Sequence, residues 1–499
     1  MDNYQNDRAL EAMLREQLSE LPPDDVVQAV TPWRKAINRI LTGFALGAIT
    51  LNFFALNYLL PTIGMFLILL GFRTLRKENK WFSACWVLTL IRCAYYFPML
   101  ILNTTVYQGQ FYTSAAASVC NGVNLTLQFL LYFCFWNALR AVQKKAGLEP
   151  HAGGAVGLIV WSSMICVMVF LKIPGGLIIG LVLLILYICI IRSLVKLSRE
   201  LDEAGYCIHT TPVRFPDKIA VLVLSLAILM GCGCGYLFFH QYPMDWQPIT
   251  QSEDTELRQI KDHLVSLGFP AHILEDLTEE DLLTCKDAVQ VVVDVHDHPV
   301  NEGREVRELK ENNGIYIHTV YDQKELRITG VGVQLAGERE RWKIIHHFQY
   351  VINPGFYGTE AIHLWQTHHN NKGWLPQGDV TGQVLYNDGS QIFTAPYHSL
   401  GEETYTSNSI FWGEQTSTDV FATFSMPNTG ENHRGYVSYT VLEAQDGWLI
   451  DAWINYTHQI SWLQYPAITA KEKHLTFGAG DTKNFCTVQD ALQFNPTYE

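Results

Sequence analysis

The stretch from Lys218 to Phe239, KIAVLVLSLAILMGCGCGYLFF, divides this chain. It carries no charge after Lys218 and has about the length a helix needs to cross the hydrocarbon of a bilayer. A string of similar apolar segments precedes it. A long polar segment, rich in aromatic residues, follows it without another span. The expected fold is therefore a polytopic α-helical membrane domain, followed by a small helical segment and an extracytoplasmic β-rich domain of sandwich or jelly-roll type.

Charge divides at the same place. Residues 1–239 hold 19 Lys and Arg against 13 Asp and Glu, and residues 240–499 hold 16 against 36. The acidic second part argues against nucleic acid as its partner, because a phosphate backbone needs a cationic surface. Of 11 cysteines only Cys285 and Cys486 follow the dividing helix, so no disulfide framework is expected, although this one pair could bridge. The polar, acidic N-terminus reads as no cleavable signal peptide, and the first span is expected to act as the targeting signal.

Working back from the dividing helix, four regions follow. Residues 1–31 read as a cytoplasmic acidic tail. Leu10, Met13, Leu14, Leu18 and Leu21 make an amphipathic stripe that ends at Pro22-Pro23. Thr31-Pro32 reads as an N-cap with proline at the first helical position. Residues 32–239 read as seven spans. Arg39 to Arg73 is charge-free but too long for one crossing, so two short helices turning near Asn52 to Asn57 are expected. Later spans are expected at about Phe82–Leu102, Thr113–Leu139, Ala155–Leu171, Leu177–Ile191 and the dividing helix. Residues 240–289 read as a linker and three short helices around Leu264, Phe269, Ile273, Leu277 and Leu282, the third capped by Thr278. Residues 290–499 read as the β-rich domain. Strands are expected at 315–320, 326–335, 342–352, 380–386, 420–426 and 436–442, with hairpin turns at Asn387-Asp-Gly389 and Asp446-Gly447.

Every second loop is basic: Arg34/Lys35/Arg39, Arg73/Arg76/Lys77/Lys80, Arg140/Lys144/Lys145 and Arg192/Lys196/Arg199/Arg214/Lys218. The intervening loops carry only Lys172. By the positive-inside rule this predicts a multi-pass plasma-membrane protein with its N-terminus in the cytoplasm and its C-terminal half outside.

Within the spans Arg92 stands out, because a charge at mid-membrane is costly and is retained for a reason. It lies eleven residues before the end of its helix, and Asn124 lies eleven residues into the next. Ser114, Ser118, Asn121, Asn124 and Gln128 share one helical face. The expected intramembrane polar site is Arg92, Asn121, Asn124 and Gln128, as a packing network or as a pocket for an anionic ligand or lipid headgroup. The spans contain no carboxylate, which argues against a proton- or cation-coupled transporter. GxSxG, HExxH and SxxK are absent from 240–499 and no P-loop occurs, so no catalytic residue or cofactor is assigned.

In the second part, Asp294, His296 and His298 alternate along one strand face and are chemically suitable for a divalent metal. Solvation of a strand end is the competing reading, and no metal is assigned on the spacing alone. His346 shares a face with Trp342, Ile344 and Phe348 and reads as a core residue. Eight of 13 tryptophans lie in this part, as core or as stacking platforms for a glycan or peptide. The functional expectation is a cell-envelope receptor or sensor whose outer β domain binds a ligand and whose N-tail contacts a cytoplasmic protein. The alternatives are a structural or adhesive envelope protein, and a membrane enzyme or lipid handler using the site around Arg92.

Overall fold

Charge-free runs become helices because backbone groups in hydrocarbon have to satisfy one another. The structure, a computed structural model, describes residues 30–48, 55–173, 176–209, 215–249, 254–301, 303–309, 315–370, 372–409, 413–478 and 480–496. The amphipathic stripe of the tail, residues 52–54 of the turn expected near Asn52 to Asn57, Arg214 and Trp412 lie outside these residues, and Asn57 is helical. The chain divides into two compact units: residues 1–101 with 111–232, and residues 102–110 with 233–499.

The apolar helices are α1 (Trp33–Ala48), α2 (Leu56–Leu75), α3 (Lys80–Leu102), α4 (Ala115–Lys145), α5 (Gly153–Phe170), α6 (Leu177–Glu203) and α7 (Asp217–Phe238). Six of them, α2 to α7, are long and apolar enough to cross a membrane, as in a multi-pass membrane protein. The other, α1, has 16 residues, about 24 Å against the roughly 30 Å of hydrocarbon. Helix α6 runs twelve residues beyond the expected Ile191, since its amphipathic C-terminal turns bury Leu194, Leu197 and Leu201.

Glycine explains how α1 is held. A Cβ on Gly43 would lie 2.6 Å from the Gly64 carbonyl oxygen of α2, and one on Gly64 would lie 2.7 Å from that of Gly43. With Gly47 one turn on, this is the small-residue stripe that lets membrane helices approach backbone to backbone. Around the contact Trp33, Phe44, Phe72, Phe82 and Phe135 form one buried cluster. Asp217 accepts from Arg39 at 2.9 Å and Arg73 at 3.4 Å, and Glu78 pairs with Lys145 at 3.1 Å. These contacts gather the basic clusters at one end of the bundle. There Val30–Pro32 pairs as a short strand with Cys207–His209. Pro32 is thus a strand residue and α1 starts at Trp33, which corrects the expected proline helix start.

The second unit is built on two antiparallel sheets. Its strands are β1 (Ala288–His298), β2 (Leu326–Leu335), β3 (Arg341–Tyr350), β4 (Glu360–Trp365), β5 (Trp374–Asp388), β6 (Gln391–Pro396), β7 (Ser399–Ser409), β8 (Gly413–Phe424), β9 (Glu431–Glu443), β10 (Ile450–Gln459) and β11 (Phe485–Phe494). One sheet runs from the short strand Gln247–Pro248 through β6, β5, β9, β3 and β2 to β1. The other runs β7, β8, β4, β10, β11. Residues of both sheets, among them Trp342, Phe348, Ile362, Phe424, Val437 and Tyr456, share a single core, as in a sandwich. A separate hairpin pairs Arg304–Leu309 with Ile315–Val320.

The turn at Asn387–Gly389 closes the β5–β6 hairpin, with Gly389 at φ 59°. Asp446-Gly447 is no hairpin turn: it links β9 and β10, which lie in different sheets. His368 and His369 fall in a short helix, Thr367–Asn370. Cys285 and Cys486 are both free, one buried beneath the short helices and the other in the sandwich core.

The short helices are α8 (Thr255–Ser266), α9 (Ala271–Leu274) and α10 (Glu279–Thr284), the last capped as expected by Thr278, which accepts from the Asp281 amide at 3.2 Å. Their apolar residues do more than pack on each other. Leu264, Ile273, Leu274 and Leu282 join Val331, Val333 and Ile345 on the outward face of the seven-stranded sheet. Helix α11 (Ala470–Phe477), closed by a capping box of Thr469 and Glu472, covers part of the five-stranded sheet against Ala361 and Phe485.

His346 is a core residue on the inner face of β3 and is 1% exposed. Burial pushes its imidazole down to about 4, with the Asp490 carboxylate opposing. Because the folded value is depressed, the unfolded chain takes up this proton first as pH falls. The contribution is complete above about pH 6.5 and is lost towards pH 4, amounting to about 3 kcal/mol. Denaturation across this range should show that loss in the native chain, and His346→Leu should flatten it. Parallel pH profiles for the two proteins would contradict the assignment.

Candidate functional site: a polar cavity among the membrane helices

Helix α3 carries Arg92 at its midpoint, and the antiparallel α4 brings Asn124 to the same depth. The Arg92 Nε donates to Asn124 Oδ1 at 3.4 Å, and its Nη2 donates to Gln128 Oε1 at 3.1 Å. Gln128 passes the contact on, its Nε2 donating to the Tyr132 hydroxyl at 2.9 Å. Asn121 is not brought to Arg92. One turn along the antiparallel pair it faces Tyr95 instead, whose hydroxyl donates to Asn121 Oδ1 at 3.1 Å. Ser114 caps α4, and Ser118 is exposed, so the polar stripe turns away from Arg92 towards its N-terminal end.

Beside these groups lies a cavity of about 520 Å³. Arg92, Asn124, Gln128, Tyr96 and Tyr132 form its polar wall. Phe44, Met65, Ile68, Trp161 and Ile165 form its apolar wall. Several lining groups are held by the backbone: Tyr187 donates to the Phe44 carbonyl at 2.8 Å, and the Trp161 indole donates to that of Leu183 at 3.0 Å. A larger cleft of about 590 Å³ beside Phe66, Leu70 and Leu224 is almost wholly apolar. Its one charge, Arg73, is already paired with Asp217. The chemistry therefore sits at Arg92.

Arg92 has five N–H groups, and two are engaged with neutral amide oxygens. Among the described residues no carboxylate pairs with it, and the apolar helices α2 to α6 offer none within their hydrocarbon-length segments. A partly buried guanidinium within an apolar bundle and without a counter-charge is an unfinished arrangement, because a charge in low dielectric is stabilised chiefly by an opposite one. The cavity can thus receive one anionic group at the arginine and an apolar body along the opposite wall.

The metal candidates Asp294, His296 and His298 lie on β1, where Asp294 Oδ1 is 3.6 Å from His296 Nε2. Both histidines meet Asp490 of β11, a residue that sequence reasoning did not single out. The tryptophans divide between roles. Trp342 and Trp374 are core, whereas Trp365 and Trp453 are paired in register on β4 and β10, with Trp365 exposed. Their strand neighbours Leu364 and Ile454 point into the core, so the two indoles stand on the opposite face.

No protein-family model matches the chain, and no curated protein matches it.

Proposed function

We propose that this chain is a membrane-embedded binding protein that takes an amphiphile carrying one anionic group, a carboxylate or a phosphate, into the cavity at Arg92. The reading is carried by one observation: a mid-helix guanidinium faces a cavity of about 520 Å³ with only neutral oxygens as partners among the described residues. The apolar wall opposite supplies the place for an acyl or isoprenoid body. The full chain, purified in an uncharged detergent, should carry an acidic amphiphile that lipid extraction and mass spectrometry detect in stoichiometric amount. Arg92→Gln should lose most of it. Equal recovery from both proteins would contradict the proposal.

In the same reading the protein is a receptor or sensor of the cell envelope. The basic clusters mark the cytoplasmic end of its helices, and α7, which starts at that end with Asp217 paired to Arg39 and Arg73, leads residues 240–499 outside. A glycan stacked on Trp365 and Trp453 is the second ligand this arrangement suits. Protease added to intact cells should remove the C-terminal half. Protection in intact cells with cleavage after lysis would reverse the orientation.

A further inference from the structure

We infer that His296, His298 and Asp490 are the protein ligands of a divalent transition-metal ion, of the class that zinc represents, at the seam between the edge strands of the two sheets. Strand β1 ends the seven-stranded sheet and β11 ends the five-stranded one. Alternate residues of each face the space between the sheets. On β1 Val292 packs against the shared core, so Asp294, His296 and His298 follow it inwards. On β11 Val488 and Leu492 are core, so Asp490 between them also points in. The two sheets approach closely here: a Cβ on Gly330 of β2, the neighbour of β1, would lie 2.9 Å from that of Leu492 on β11.

An inward carboxylate between two core residues needs compensation. Asp490 finds it in two imidazoles, its Oδ1 lying 3.0 Å from His296 Nδ1 and its Oδ2 lying 3.1 Å from His298 Nε2. One donor atom from each of the three residues falls within 4.8 Å of the others. Around one zinc ion, with bonds of about 2.0–2.2 Å, tetrahedral ligand atoms stand about 3.4 Å apart. Small side-chain rotations thus suffice to place an ion where the imidazole hydrogen bonds now run.

The surroundings fit a resident cation. Asp294 lies within ion-pair reach of His296 Nε2, on the ring edge away from Asp490. That is the place of an outer carboxylate that orients a ligating histidine. With it, two carboxylates and two neutral imidazoles balance a dication. His346 stands in the same cross-strand row as Asp294, across Gly330, and its buried Nε2 has no hydrogen-bond partner among the described residues. Two imidazoles and a carboxylate favour zinc, copper, nickel or cobalt over calcium or magnesium, which prefer all-oxygen sets. His296 is half exposed, so water can complete the coordination.

The test is a Zn2+ titration of the full chain, free of any histidine tag and stripped with a chelator, against a chromophoric zinc indicator. The native chain should bind one zinc ion tightly and show a Co2+ visible spectrum of low coordination number. His296→Ala and His298→Ala should each abolish that stoichiometric binding, and Asp294→Asn should weaken it about tenfold. His296→Ala changes a half-exposed side chain, and a thermal melt in chelator confirms that it folds. Absence of tight binding by the native chain, or undiminished binding by folded His296→Ala, would overturn the inference.

Discussion

Asp281→Ala should destabilise the β-rich unit by about 3–5 kcal/mol, the usual cost of leaving one partner of a buried ion pair alone. Lys343 Nζ lies 2.7 Å from Asp281 Oδ1, and both side chains are almost fully buried. The Thr381 hydroxyl donates to the same oxygen at 2.7 Å. The Tyr436 hydroxyl and Thr278 Oγ1 donate to Oδ2. Burial raises the Asp281 carboxyl, and Lys343 together with the Tyr436 and Thr381 hydroxyls more than offsets it, so the group is held below its ordinary range. Ser438 Oγ donates to Oδ1 as well, at 3.3 Å, so alanine would strand a buried ammonium and four hydroxyl donors. Denaturant unfolding of the full chain in detergent, followed through the buried Trp342 and Trp374, measures the change. Asp281→Ala with Lys343→Met should recover much of the loss, since the orphaned charge is then gone. A single-variant loss below about 1 kcal/mol would contradict the network's role.

This network does more than stabilise. Asp276, from the same helical segment, lies 2.8 Å from Arg434 Nε and 2.9 Å from His347 Nε2 on the sheet. Two buried carboxylates thus fix where the short helices sit on β3 and β9. The apolar contacts of Leu264 and Ile273 alone would be compatible with sliding, because apolar burial has no direction.

Arg92→Gln should reduce affinity for an anionic amphiphile about thirtyfold or more, the 2–5 kcal/mol expected when one side of a desolvated, hydrogen-bonded charge pair is removed. The amide keeps a donor within the cavity and lowers the desolvation cost. The effect on a neutral amphiphile of the same length should therefore be small. That asymmetry separates recognition of charge from general damage to the bundle.

How much of this could be read in the sequence depended on whether the signal was local. The dividing helix is expected at 218–239 and observed at Asp217–Phe238, because charge marks its start and a polar His240-Gln241 its end. Strand Leu326–Leu335 is observed at the expected bounds, although both of its faces are buried. Strands β4, β10 and β11 were not foreseen. In β4 and β10, buried polar residues such as Glu360, His363, Asn455 and His458 interrupt the apolar period. Those residues find partners across strands, as His458 does in Glu360 at 2.9 Å, and such a partner leaves no trace nearby in the chain. Arg92 and Asn124 could be matched because a helical hairpin makes depth countable from its turn. Asn121 was placed on the right face at the wrong depth. Asp490 lies 192 residues from His298, and only the closure of the sandwich brings them together.

The most direct measurement uses the cavity's own fluorophore, Trp161. The full chain is titrated with a fatty acid brominated on its chain and, separately, with the methyl ester of the same acid. Quenching is recorded for the native protein, Trp161→Phe and Arg92→Gln. The account predicts saturable quenching by the acid that Trp161→Phe removes and Arg92→Gln shifts to much higher concentration, with the ester weak throughout. Equal quenching by acid and ester, unchanged in Arg92→Gln, would contradict it.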